Sequence, residues 1–157
     1  MQERTSLNIH PAAADDVPAL ARLFDAYRVF YKAASAPKEA EAFVARLVAD
    51  GRTRFFLARQ AGSDPSPPLG FVHLMPSIST VAMRPIWLLE DLFVAPEARR
   101  QGVAGALMRH AEAFARQTAA ERLTLATAHN NLRAQSLYQA MGYAKEDHFW
   151  YYHRILD

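Results

Sequence analysis

Apolar and polar positions along the chain fall into ten segments, each with its own period. Residues 5–9 (TSLNI) alternate and run to Pro11, which predicts a short strand. Asp15 and Asp16 can cap a helix that takes Pro18 in its first turn. Val17, Leu20, Phe24, Tyr27 and Tyr31 then follow the three-four spacing of one helix face. Pro37 opens a second helix carrying Phe43, Val44, Leu47 and Val48, which stops near Gly51. Residues 54–60 (RFFLARQ) read as a strand, 61–68 (AGSDPSPP) as a loop of turn formers, and Leu69 to Met75 as the returning strand of a hairpin. Residues 76–84 fit no period. Ile86 to Val94 (IWLLEDLFV) is a long apolar strand with two acids in its middle, ended by Pro96. A helix follows from Gln101 to about Thr118, with Val103, Leu107, Ala111 and Phe114 on one stripe. Arg122 to Ala126 is a strand, Asn131 caps a helix to Met141 with Gly142 at its left-handed end, and 148–155 (HFWYYHRI) is a final aromatic strand. The order β-α-α-β-β-β-α-β-α-β predicts an α/β fold, a mixed sheet with helices on its faces.

Composition narrows the class. With 51% hydrophobic residues, 22% charged and a net charge of +2, the 157-residue chain is expected to be one domain, 1–157, rather than disordered. No unbroken apolar run reaches the roughly 18 residues of a membrane span. The opening MQERTSLNIHP lacks the apolar stretch of a signal peptide. The chain has no cysteine, which excludes disulfides, zinc–thiolate sites, iron–sulfur clusters and a cysteine nucleophile. A reducing cytoplasm is the default location for such a chain. The basic residues are spread out, so no nucleic-acid surface is expected. Arg99 and Arg100 are adjacent.

That pair sits in the segment richest in chemistry, EDLFVAPEARRQGVAGALM, residues 90–108. An apolar strand enters a proline-marked turn, then Arg99, Arg100, Gln101, Gly102, Val103, Ala104 and Gly105, then a helix. Glycines without a Cβ let backbone amides approach a ligand closely, and a helix N-terminus favours an anion. Two guanidiniums add bidentate donors for phosphate oxygens. The glycines by themselves fit an ordinary strand–turn–helix equally well. The spacing is neither a Walker A loop nor a Gly-x-Gly-x-x-Gly dinucleotide turn.

Arg99-x-x-Gly102-x-Ala104 resembles the pyrophosphate-loop pattern of the GNAT N-acetyltransferase superfamily: Arg or Gln, x, x, Gly, x, Gly or Ala. Asn131-x-x-Ala134-x-x-Leu137-Tyr138-x-x-x-Gly142-Tyr143 resembles its second signature, and Leu89 to Val94 its fourth strand. Two positions depart from the common form, Ala104 and Arg100, where glycine is frequent. The resemblance implies a central mixed, mostly antiparallel sheet of about six to seven strands with about four helices, split between the fourth and fifth strands. It implies acetyl-CoA in that gap, with the pantetheine arm along Leu92, Phe93 and Val94. The pyrophosphate would lie on the amides of Gln101 to Gly105, with Asn131 and Tyr138 also at the cofactor. It further implies that an amine attacks the thioester directly, without an acyl-enzyme.

Each candidate has a structural alternative. A Tyr138 phenol can donate to the departing thiolate, or bury its ring and wet its hydroxyl. Glu90 can accept the proton of an ammonium or bind it, or pair with an arginine such as Arg84. Strict alternation places Glu90 and Asp91 on opposite faces, so at most one faces a given wall. His73 can line the acceptor site or satisfy the core, and Tyr27, Phe30 and Tyr31 can wall a pocket or pack the interior. His110 is expected at the surface. His148 and His153 fall on opposite strand faces, and no metal is expected. The final strand's aromatics, Phe149 to Tyr152, can face a core on one side and a second copy on the other, giving a homodimer.

The expected function is acetyl-CoA-dependent N-acetyltransfer to a primary amine of a small amine or polyamine, an amino acid, or a peptide or protein. The paired acids tilt the acceptor toward a cation. A CoA-binding module without turnover is the alternative, and a nucleotide binder is a third. Neither nucleic acid nor a membrane is an expected partner.

Overall fold

The computed structural model describes residues 6–62 and 66–156. Thr5, where the first strand is predicted to begin, and Ser63, Asp64 and Pro65 of the loop lie outside them. The chain divides into two compact units, one ending at Ala126 and one beginning at Thr127.

The first unit runs β1 (Leu7–Pro11), α1 (Val17–Phe30), α2 (Pro37–Asp50), β2 (Arg54–Gln60), β3 (Gly70–Ser79), β4 (Arg84–Val94), α3 (Val103–Gln117) and β5 (Leu123–Leu125). The sheet order is β1-β2-β3-β4-β5, antiparallel throughout except for the parallel β4–β5 pair. The aperiodic stretch 76–84 proves to be the far end of a long hairpin, in which Ser79 pairs with Arg84.

Each face of the sheet has its own core. Val17, Leu20 and Phe24 of α1 and Ala40 and Val44 of α2 pack on Phe55, Leu57, Phe71 and Phe93. These are alternate positions of β2, β3 and β4, as a two-residue side-chain period requires. On the other face, α3 buries Val103, Leu107, Met108, Ala111 and Ala115. There Phe114 meets Phe56 at 5.2 Å and Trp87 at 5.0 Å between ring centroids. Gly70 opens β3 because a Cβ there would come within 2.6 Å of the Phe93 carbonyl oxygen, so β3 and β4 approach too closely for any side chain.

The β4–β5 ladder is short. Trp87, Leu88 and Leu89 pair with Leu123, Thr124 and Leu125, while β4 runs five residues further, to Val94. The two strands therefore separate beyond Leu89, at the split implied by the resemblance.

In the second unit α4 (Leu132–Ala140) is capped by Asn131, whose Oδ1 accepts from Ala134 N at 3.3 Å. Gly142 follows at φ 89°. The strand predicted at 148–155 is not formed, and the sheet has five strands among the described residues. Phe149, Trp150, Tyr151 and Tyr152 are all exposed, Trp150 to 87%. Period-two aromatics show that a segment suits a ladder, but a strand exists only where another backbone accepts its hydrogen bonds. These aromatics face no core on either side.

One carboxylate ties the two helices of the first face together. Asp25 on α1 accepts from Ser35 Oγ at 2.6 Å, from Ala36 N at 2.9 Å and from Arg28 Nη1 at 3.2 Å, closing the turn that leads into α2. The Ser35 hydroxyl and then the Ala36 amide, with Arg28 behind them, hold its carboxyl below the ordinary value of 3.8. A carboxyl lowered by folding stabilises the fold above its unfolded value, and that contribution is lost as pH falls through the folded one. The urea midpoint is therefore expected to drop on acidification below about pH 4. Asp25→Ala should have a lower midpoint near neutrality and a flatter acid limb. An acid limb of unchanged slope would remove Asp25 from that account.

Candidate active site

The two acids of β4 occupy an irregularity in the sheet. His73 pairs with Asp91, but its neighbour Leu74 pairs with Leu89. Glu90 is thus an extra residue in β4, a β-bulge. Cross-strand partners share a face, so Asp91 joins His73, Phe55, Phe71 and Phe93 on the α1 side, while Leu89 sits with Leu74 on the α3 side. Alternation fails at this point. Counting on from Leu89 puts Glu90 on the α1 side, and the skipped partner puts Asp91 there too, so the expectation that the two carboxylates lie on opposite faces is not met.

Asp91 is held by His73, whose Nδ1 lies 2.7 Å from Asp91 Oδ2. Burial first, then the Asp91 carboxylate, then Tyr31 and Glu90 push the Tyr27 phenol well above its ordinary range. His73 is buried and lies flat on Phe55, with ring centroids 4.0 Å apart and planes at 4°. Glu90 is exposed. Tyr31 meets Tyr27 edge-on at 5.1 Å and remains half open to solvent. The result is a pair of carboxylates beside an aromatic wall, able to accept protons and to bind a cation.

The loop after β4 is built differently. A short 3₁₀ turn, Pro96–Ala98, leads to Arg99, then to Arg100 at φ 64° and Gly102 at φ 80°. The first N–H groups of α3 have no carbonyl partner within the helix and carry its positive end. A Cβ on Gly102 would meet nothing within 4 Å, and one on Gly105 would meet only the end of the Arg109 side chain.

The two adjacent arginines separate. Arg99 Nε donates to the Val94 carbonyl at 3.1 Å, and its guanidinium lies over Phe30 at 5.8 Å and Phe93 at 5.7 Å. Arg100 is exposed. Gln101 Nε2 donates to the Glu97 carbonyl at 3.0 Å. Leu92, Phe93 and Val94 pair with Val72, Phe71 and Gly70, and their other edge lies beyond the reach of β5. Asn131 and Tyr138 belong to the second unit, where Tyr138 is half-buried with its ring 6.1 Å from that of Tyr143.

Sequence reasoning named Phe30 but missed Phe55 as a support, and it missed the His73–Asp91 bond. Phe30, beside Tyr31 on one helix, was readable; the bond was not, because it depends on the bulge. His110 is half-buried rather than at the surface, edge-on to Phe56 at 4.6 Å, and burial lowers its pKa. It lines a recess of about 280 Å³ with Pro11, Arg54, Phe56, Ala113, Phe114 and Gln117. That recess shares no residue with the acids or the loop. Among the described residues no group of three His, Asp or Glu side chains can hold a metal, and no helix is long and apolar enough to cross a membrane.

Residues 20–143 match the family model described as "Acetyltransferase (GNAT) family". The chain belongs to the GNAT acetyltransferase family. It is accordingly an acyltransferase. It is similar to the uncharacterized N-acetyltransferase YhfO of Bacillus subtilis, 39% identical over 93% of this chain and 95% of that one. It is also similar to a crystal structure of a probable acetyltransferase, at TM-score 0.88 and 34% identity over 96% and 98% of the two chains. A shorter match, 33% identical over 46% of this chain and 49% of the relative, is to an aminoglycoside N(6′)-acetyltransferase type 1 of Serratia marcescens.

Gly102 adopts the left-handed backbone that favours glycine, and nothing lies within 4 Å of where its Cβ would be, as is also true at Gly51, Gly62 and Gly142.

The Tyr27 environment has a spectroscopic consequence. Of the six tyrosines, Tyr27 should contribute nothing to the tyrosinate absorbance that appears near the ordinary value of 10.0. Tyr27→Phe should leave that step's amplitude unchanged. Loss of about one-sixth of it would show an ordinary phenol at position 27.

Proposed function

We propose that the chain, acting as one domain, transfers an acetyl group from acetyl-CoA directly to a primary amine of a small cationic acceptor. The observation that carries the reading is the acidic pair at the bulge, with Glu90 exposed and Asp91 held beside the Tyr27–Tyr31 wall. The aminoglycoside N-acetyltransferase among the similar proteins supports a small acceptor bearing amines.

In this reading acetyl-CoA, when bound, supplies a thioester carbonyl activated toward an amine. Glu90 accepts the proton that an acceptor ammonium must lose before it attacks, directly or through a water. Asp91 binds positive charge on the acceptor, and Tyr27 and Tyr31 line it. His73 acts behind Asp91. The amides of Gln101, Gly102, Val103, Ala104 and Gly105 receive the pyrophosphate, with Arg100 as the nearby cation and Arg99 fixing the turn. The β4 edge at Leu92 to Val94 receives the pantetheine amides. Asn131 and Tyr138 are assigned to the cofactor by their motif, and Tyr138 donates its proton toward the departing sulfur. The reading includes a homodimer that covers Phe149 and Trp150, and a reducing cytoplasm.

Free thiol released from acetyl-CoA across kanamycin, 1,4-diaminobutane, a D-amino acid and a lysine peptide tests the reading. Turnover with the cationic small amines is expected, and Tyr138→Phe should lower kcat by about a hundredfold with little change in the KM for acetyl-CoA. Tight acetyl-CoA binding without release on any amine would make the chain a binding module instead.

Gly102→Val forces a branched side chain into the left-handed region at a cost of about 1–2 kcal/mol and fills the open position. Calorimetric affinity for acetyl-CoA should fall at least about tenfold. Retained affinity in a folded variant would remove the loop from the cofactor site.

A further inference from the structure

His73 is more than 90% buried, yet it makes one polar contact and leaves one nitrogen without any. Nδ1 lies 2.7 Å from Asp91 Oδ2, while Nε2 has no hydrogen-bond partner among the described residues and no exposure to water. Its surroundings are apolar: Phe55 covers the ring face, and Phe71 stands next on the same side of β3. A buried polar atom without a partner disfavours the fold, and an apolar side chain of similar volume would avoid that. What the imidazole supplies that such a side chain lacks is the Nδ1–H bond to Asp91.

The tautomer follows from the same geometry. A carboxylate only accepts, so Nδ1 carries the proton. A second proton on Nε2 would be a buried donor with no acceptor, so Nε2 keeps a bare lone pair. Most histidines in water carry the single proton on Nε2; this ring is held in the other form.

We infer that His73 is a positioning residue that sets acceptor specificity through Asp91: it fixes the carboxylate's orientation so that the acidic pair recognises amines bearing a second positive charge. The inference rests on the acceptor reading of the acidic pair given above. Asp91 keeps some exposure, 15% of its side chain, so a cation can reach it while its inner oxygen is held. The bulge places Glu90 beside it. One ammonium can lose its proton at Glu90 while the other stays charged at Asp91. Phe55 restrains rotation of the ring, and the hydrogen bond restrains the carboxylate.

The test compares 1,4-diaminobutane with butylamine in the wild type, His73→Leu and His73→Asn. An Asn side chain places its amide N–H about where Nδ1–H stood. The wild type should favour the diamine through KM. His73→Leu should lose about tenfold of that preference, in KM rather than kcat. His73→Asn should restore most of it, and the thermal midpoint should not follow this order. A long-range ¹H–¹⁵N spectrum of the wild type should show His73 protonated at Nδ1 with a bare Nε2. A preference that survives His73→Leu overturns the specificity role, and a ring protonated at Nε2 overturns the geometry. A wild type with no preference refutes the acceptor reading and the specificity role with it. The nitrogen shifts then still decide whether His73 holds Asp91.

Discussion

The site depends on one extra residue in β4. Without the bulge at Glu90, the pairing that puts Leu89 opposite Leu74 would continue in step, and Asp91 would lie on the α3 side with Leu89. It would then lie on the side where α3 buries Leu107, Met108 and Ala111, away from His73. The bulge instead turns Asp91 toward His73 and Tyr27, and Phe93 two residues on lands in the cluster under α1. A single shift of register thus moves both an acid and an aromatic anchor to the same face. The energetic stake is high, since a buried, unsatisfied carboxylate costs several kcal/mol.

The same strand is divided along its length. Its first half is a central strand, with β3 along one side and β5 against Trp87, Leu88 and Leu89 on the other. Its second half keeps only β3, so one row of backbone groups is left for something else to pair with. The bulge falls where β5 leaves. A bulge in the middle of two ladders would disrupt both; here it disturbs one, and the other has already ended. The local geometry that releases the edge and the geometry that aims the acids are therefore compatible.

Much of this layout was legible in the sequence because it rests on periodicity. The 54–60 strand, the helix opened by Pro37 and ended at Gly51, and the Asn131 cap came out as read. Spacing also located the loop at 99–105 and named Glu90, Asp91, His73 and Tyr27 individually. It could not show that the last three are joined. Alternation assumes an unbroken ladder, and nothing in LLEDLFV marks where a residue is skipped. The same assumption misled at 148–155, where the pattern suited a strand but the described chain supplies no neighbour. Register and pairing belong to the tertiary structure, and a one-residue change in either reverses what a side chain faces.

The arginines show the same limit from the side of charge. Adjacent in sequence, Arg99 and Arg100 suggested a matched pair of phosphate donors. Backbone conformation separates them: Arg100 adopts φ 64°, which turns it outward, while Arg99 lies over two phenylalanine rings and donates to the end of β4. Arg99 therefore links the aromatic cluster under α1 to the end of β4, since its guanidinium lies over Phe30 and Phe93 and its Nε donates to the Val94 carbonyl. In the proposed reading, anion binding at this loop falls mainly to backbone amides, whose positions are fixed by the fold, rather than to flexible side chains. A site made of amides at a helix start needs an open approach more than it needs charge. In the proposed reading Gly102, with nothing within 4 Å of where its Cβ would be, is where a side chain would narrow that approach.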